Sequence, residues 1–171
     1  MTVEHCRLLV SIRRVFTGTC LALLWFVAWD VQFLFAAGAD ATTLSGIGGF
    51  QVEIGALSRD ARDLGFTESG LRKLVRGHLR RNALSTGNFA AVLNISLRVV
   101  AHPARLLAYS LVLEVSQVVH LKRTEQIVLS APTWMEGTLT LVPRDGLVRS
   151  VESALSDLVD ALGRDYRLVN S

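Results

Sequence analysis

Apolar and polar positions follow different periods in different parts of the chain. Phe50, Val52 and Ile54 alternate with Gln51 and Glu53. That period of two predicts a strand with one buried face. Leu71, Leu74, Val75 and Leu79 then recur at three- and four-residue steps, with His78 at the margin. This predicts an amphipathic helix ending near Asn82. Thr67 suits its N-cap, and Phe66 and Leu71 occupy the positions of a hydrophobic staple. Residues 58–65 read as a polar connection, and residues 84–88 as a turn.

Period two returns at Leu93, Ile95, Leu97 and Val99. It returns again over residues 107–121, where Tyr109, Leu111, Leu113, Val115, Val119 and Leu121 share one parity. His102-Pro103-Ala104-Arg105 separates the two runs, so they predict an antiparallel hairpin with one wet face. Arg98, Glu114, Ser116 and Lys122 are expected on that wet face. Residues 124–126 turn the chain into a further strand that includes Trp134 to Leu141, with Pro132 at its start. Val148, Val151, Leu155, Leu158, Val159, Leu162 and Tyr166 predict a second amphipathic helix over 145–167, with Asp145 as its N-cap.

The order is β-α-β-β-β-α. The expected fold class is α+β, a two-layer sandwich with a mainly antiparallel sheet and two helices on one face. That arrangement buries both helical stripes and half of each strand.

The N-terminal segment stands apart. Of its first 39 residues 26 are apolar, and it holds six of the twelve aromatics and both cysteines, Cys6 and Cys20. Arg7, Arg13 and Arg14 precede the apolar run, and Ala37-Gly38-Ala39 fits a signal-peptidase site. A basic start, an apolar middle and a small-residue end describe a secretory signal. Residues 15–37 are also long enough for a retained inner-membrane anchor, although Asp30 interrupts the run. Residues 40–49 read as a flexible linker, and residues 50–171 as a single domain. The expected location is exported and periplasmic.

Composition sharpens this picture modestly. Half of the 171 residues are apolar, which excludes intrinsic disorder. The net charge of +3 is small, but the cations are 16 arginines and two lysines. Five of them, Arg72, Lys73, Arg76, Arg80 and Arg81, fall within ten residues of the first helix, with only Glu68 near its start; they read as a solvated helix face or as a surface for an anionic partner.

Several stretches carry a resemblance: Ala108-Tyr109-Ser110-Leu111-Val112-Leu113-Glu114-Val115, Pro132-Thr133-Trp134-Met135-Glu136-Gly137, Asp157-Leu158-Val159-Asp160 and Tyr166-Arg167-Leu168-Val169-Asn170. With Leu57-Ser58 and Asp60-Ala61 they resemble a group of exported bacterial proteins of unknown function. The strand order also resembles the N-terminal domain of the translocation protein TolB and small envelope accessory lipoproteins. That resemblance implies an envelope binding or accessory role. Unlike the lipoproteins, this chain has no lipobox cysteine after its apolar run.

No catalytic motif emerges. His78, His102 and His120 fall on separate elements without ligand spacing, so no metal or cofactor is expected. Glu114 and Glu136 on neighbouring strands could pair as carboxylates, but polar-face solvation is the expected role. Residues 45–49 are glycine-rich without the Lys-Ser/Thr of a P-loop. Asn94-Ile95-Ser96 matches a glycosylation sequon.

The expectation is a non-enzymatic envelope protein whose partner is another envelope protein or an anionic membrane surface. The alternatives are a small periplasmic enzyme, or a lipid or nucleic-acid binder using the arginine helix. Nucleic acid is not the expected partner, and no small-molecule substrate is identified. Trp134 is a candidate interface anchor or, as the other reading, a core residue that covers the sheet edge.

Overall fold

The computed structural model describes residues 33–35, 41–101, 106–121 and 126–171. In chain order the elements are β1 (Phe33–Phe35), β2 (Phe50–Leu57), α1 (Arg59–Asp63), α2 (Glu68–Arg81), β3 (Ala91–Ala101), β4 (Leu106–Leu121), β5 (Gln126–Pro143) and α3 (Leu147–Asn170). The sheet order is β1-β5-β4-β3-β2. β2 and β3 run parallel and are joined through α1 and α2. β3, β4 and β5 form an antiparallel meander. The α+β class and the β-α-β-β-β-α order therefore hold from Phe50 onward.

Two elements are additional. β1 pairs antiparallel with β5, Phe33 opposite Leu139 and Phe35 opposite Gly137. The rest of the predicted signal or anchor lies outside the described residues. α1 lies within residues 58–65, which were expected to be a simple connection. Ser58 caps it by accepting from the Ala61 N–H at 3.2 Å. Its five residues are too few to show a helical stripe.

The alternation dictates the core. Leu93, Ile95, Leu97 and Val99 of β3 and Leu107, Tyr109, Leu111, Leu113 and Val115 of β4 are all buried. Leu71, Val75 and Leu79 of α2 and Val151, Leu155, Leu158, Val159 and Leu162 of α3 are buried with them. The Phe66 staple residue is buried too, and Thr67 Oγ1 accepts from the Gly70 N–H at 3.1 Å. α2 ends in a Schellman motif: Leu84 N donates to Leu79 O at 2.9 Å and Ala83 N to Arg80 O at 3.1 Å. Ala83 holds a φ of 57° there, where glycine is usual.

Four expectations change. Val148 is 51% exposed, because Leu147 takes the buried place in the first turn of α3. Asp145 is not the N-cap: Arg144–Gly146 forms a 3-10 turn and Gly146 caps α3 without a side-chain bond. β5 is longer than expected, and Pro132 lies inside it rather than at its start. The register slips there, with Val115 opposite Trp134 and Ser116 opposite Pro132, so Thr133 is the extra residue of a bulge. A bulge tolerates the missing proline N–H. Ser116, expected on the wet face, is buried at this bulge and donates to Glu114 Oε1 at 2.9 Å.

A further change concerns residues 41–49, expected to be a flexible linker. Ala41–Leu44 forms a 3-10 turn, and Leu44 and Ile47 join the core. Asn170 Nδ2 donates to Leu44 O at 2.9 Å, and Gly46 N donates to Asn170 Oδ1 at 2.8 Å. Tyr166 OH donates to Ile47 O at 2.6 Å. Gln117 Nε2 donates to Thr43 O at 2.9 Å. The segment is clasped between α3 and β4. Gly49 belongs to this fit, since a Cβ there would lie 2.5 Å from the Phe89 ring.

Candidate functional site

The outer face of α2 carries the chemistry that the sequence singles out. Core positions Leu71, Val75 and Leu79 fix one side of the helix against the sheet. Ser69, Arg72, Lys73, Arg76 and Arg80 fall at steps of three, one, three and four residues on another side. Together with Thr86 they line a groove of about 440 Å³. Thr86 comes from the loop before β3 and is placed by a parallel bridge to Phe50. The Schellman turn sets the direction in which that loop leaves the helix.

Four of the five predicted cations meet in this groove. Arg81 does not. Its guanidinium bonds the His78 ring nitrogens one turn back, on the side of α2 nearer α3. Partial burial, and then the Arg81 charge, hold the His78 pKa below its ordinary value.

The residues that line the groove supply no counter-charge. Among the described residues the ion pair within 4 Å is Arg59–Asp63, on α1 and solvent-exposed, and the nearest carboxylate in sequence is Glu68, which opens α2. None of the groove-lining residues is acidic. Arg72 is half-buried, and its Nε is the one buried side-chain nitrogen or oxygen among the described residues without a hydrogen-bond partner. An unmet buried donor costs about 1–3 kcal/mol. The arrangement can therefore accept an anion, with Arg, Lys and hydroxyl donors on its walls.

The other candidates resolve differently. Trp134 is 1% exposed, and its Nε1 donates to Asp165 Oδ2 at 2.9 Å. It is a core residue, so it cannot anchor an interface from that position. Glu114 and Glu136 lie on opposite faces, because Glu114 pairs with Met135 and Leu113 with Glu136. They do not form a carboxylate pair. Burial, and then the Asp165 charge, raise the Glu136 pKa. His120 is exposed on β4, far in sequence from His78, and His102 lies outside the described residues. Among the described residues no cluster of His, Cys, Asp or Glu is arranged to hold a metal ion. No described helix is long and apolar enough to cross a membrane.

The comparisons with known proteins are sparse. No family model and no curated protein matches the chain. Among solved structures, a minor lipoprotein from Acinetobacter baumannii is similar, at 13% identity and a TM-score of 0.38. The match covers 71% of this chain and 92% of that one. Likeness at that level does not extend to function.

Sequence reasoning missed two contributors. Ser69 and Thr86 complete the groove with hydroxyls, and neither stands out in the sequence. Ser69 could have been found from its helical spacing to Arg72 and Lys73. Thr86 could not, because only the β2–β3 topology brings it to α2. An apolar row on the open sheet face was also missed. Val100 faces Ala108 across one strand pair and Ala108 faces Leu141 across the next. Val100 is 61%, Leu141 60% and Leu139 38% exposed.

Proposed function

We propose that this protein is a non-enzymatic envelope binding or accessory protein that engages an anionic surface through the α2 groove. The observation that carries this reading is four cations lining one groove with no carboxylate among its walls. The N-terminal pattern of basic start, apolar run and small residues supports an envelope address. At such an address the abundant anionic surface is phospholipid. Each Lys or Arg close to an anionic membrane contributes roughly 1 kcal/mol, with the effect fading beyond a Debye length.

Vesicle flotation tests this. The protein is expected to float with phosphatidylcholine–phosphatidylglycerol vesicles at low salt and to remain behind with pure phosphatidylcholine. The double reversal Arg76→Glu, Arg80→Glu should abolish flotation. Equal flotation of the double variant would remove the groove from the binding surface.

A second reading draws on the exposed row of Val100, Leu139 and Leu141. A contiguous apolar patch on an open sheet favours a protein partner at that face. Crosslinking from position 141 in intact cells should capture a discrete protein, whereas capture from position 76 should recover lipid.

A further inference from the structure

We infer that the α2 groove contains a seat for a phosphate monoester, formed by Arg72, Lys73 and Arg76 with the Ser69 and Thr86 hydroxyls. This rests on the reading of the groove as the anion-facing site and narrows it to one chemical group. A diffuse cationic surface needs only charge. The groove offers more than charge. Its walls combine guanidinium forks, a point-charge ammonium and two hydroxyl donors within about 440 Å³. A phosphate monoester carries close to two negative charges near pH 7 and three strong acceptor oxygens. It can use that mixture fully, whereas a diester presents one charge and two free oxygens.

Arg72 is the centre of the argument. The other helical residues of the groove are exposed, but Arg72, like Thr86, is half-buried, and its buried Nε has no protein acceptor. The protein holds a planar donor against its own surface and supplies nothing for it to bond. An oxyanion in the groove gives it that acceptor after a small side-chain adjustment. Guanidinium binds phosphate bidentately, and lysine cannot reproduce that geometry. Lys73 and Arg76, adjacent and one turn on, balance the second charge. Ser69 comes from the helix and Thr86 from the loop before β3. They can donate to the remaining oxygens. Arg80 completes the positive wall and steers the approach of the anion.

The monoester could be carried by a lipid headgroup or by a soluble metabolite. The test separates these sources. Full-length protein is titrated with glycerol phosphate and, as a charge-matched control, sulfate, while binding is followed by calorimetry. In parallel it is floated with phosphatidylcholine vesicles containing phosphatidic acid, a monoester, or phosphatidylglycerol, a diester, at matched surface charge. The variants are Arg72→Lys, which keeps the charge and loses the fork, and Thr86→Val.

Saturable binding of glycerol phosphate, at least tenfold tighter than sulfate, supports the inference with a soluble source. Preference for phosphatidic acid over phosphatidylglycerol, without soluble binding, supports it with a lipid source. In either case Arg72→Lys should weaken binding at least tenfold while its melting temperature is unchanged, and Thr86→Val should weaken it severalfold. The inference is overturned if sulfate competes equally and both vesicles float alike, or if Arg72→Lys binds as the parent does. In those outcomes general anion docking survives. Loss of all vesicle binding with glycerol phosphate binding intact has the reverse meaning: the seat stands and the membrane reading fails.

Discussion

Two polar regions share the helical layer and are treated in opposite ways. Around the last turns of α3 the polar groups are consumed by the fold. Trp134 is met by Asp165, Tyr166 by Ile47, Asn82 by Asp160 and Asn170 by Leu44 and Gly46. These bonds join residues far apart in sequence. Gly163 is part of the same fit, since a Cβ there would lie 2.8 Å from Asn82 Oδ1. Along the outer face of α2, four cations remain unmatched. Both regions are rich in charge and hydrogen-bonding groups, so polarity alone does not mark a binding site. Whether the fold supplies the partners does.

Three variants would break or sharpen that contrast. The largest effect is expected at Trp134. Trp134→Ala removes a fully buried aromatic and strands the Asp165 acceptor, so denaturant unfolding should show a loss of about 3–5 kcal/mol. A loss below about 1 kcal/mol would mean that the α3 region is not the structural half.

A smaller, pH-dependent effect is expected at Glu136. Burial and Asp165 raise its pKa in the folded state, so the fold prefers the protonated form. Stability from this group is fully present below the ordinary carboxylate pKa and is lost as pH rises through the raised folded value. Glu136→Gln should therefore raise the unfolding free energy slightly at neutral pH, by less than about 1 kcal/mol since the group is partly solvated. Parent and variant should converge near pH 4. A constant difference across pH would assign the effect to something other than ionisation.

The smallest stability effect is expected in the groove. Arg76→Ala with Arg80→Ala removes two like charges one turn apart. The unfolding free energy from urea titration should change by no more than about 0.5 kcal/mol, with any change toward greater stability. A large destabilisation would mean that these cations have structural partners, and the contrast would collapse.

The sequence patterns conveyed the fold well where one period runs uninterrupted. β3, β4, α2 and most of α3 were legible because alternation or a helical stripe is a direct image of one buried face. α1 was not, being shorter than a stripe. The full extent of β5 was hidden because Pro132 reads as a boundary, and only pairing with β4 reveals the bulge that accommodates it. The clasp on residues 41–49 was illegible because its bonds go to backbone carbonyls, which every residue has. In the groove, helical spacing exposed the cations. It could not say that Arg81 turns back to His78, or that a loop threonine completes the site. Trp134 shows the converse hazard: a tryptophan in a strand reads equally as an anchor or as core, and burial alone decides.

The clasp at Asn170 bears on the order in which the molecule can be finished. Its bonds reach back 124 residues to Gly46 and 126 to Leu44. A growing chain cannot make them until nearly the whole domain has left the ribosome. Contacts of such long range are slow to form. Until then Leu44 and Ile47, just downstream of the apolar N-terminal segment, lack the covering supplied by α3. That end of the core can therefore close only after α3 has been made, which leaves it the last part of the domain to lock.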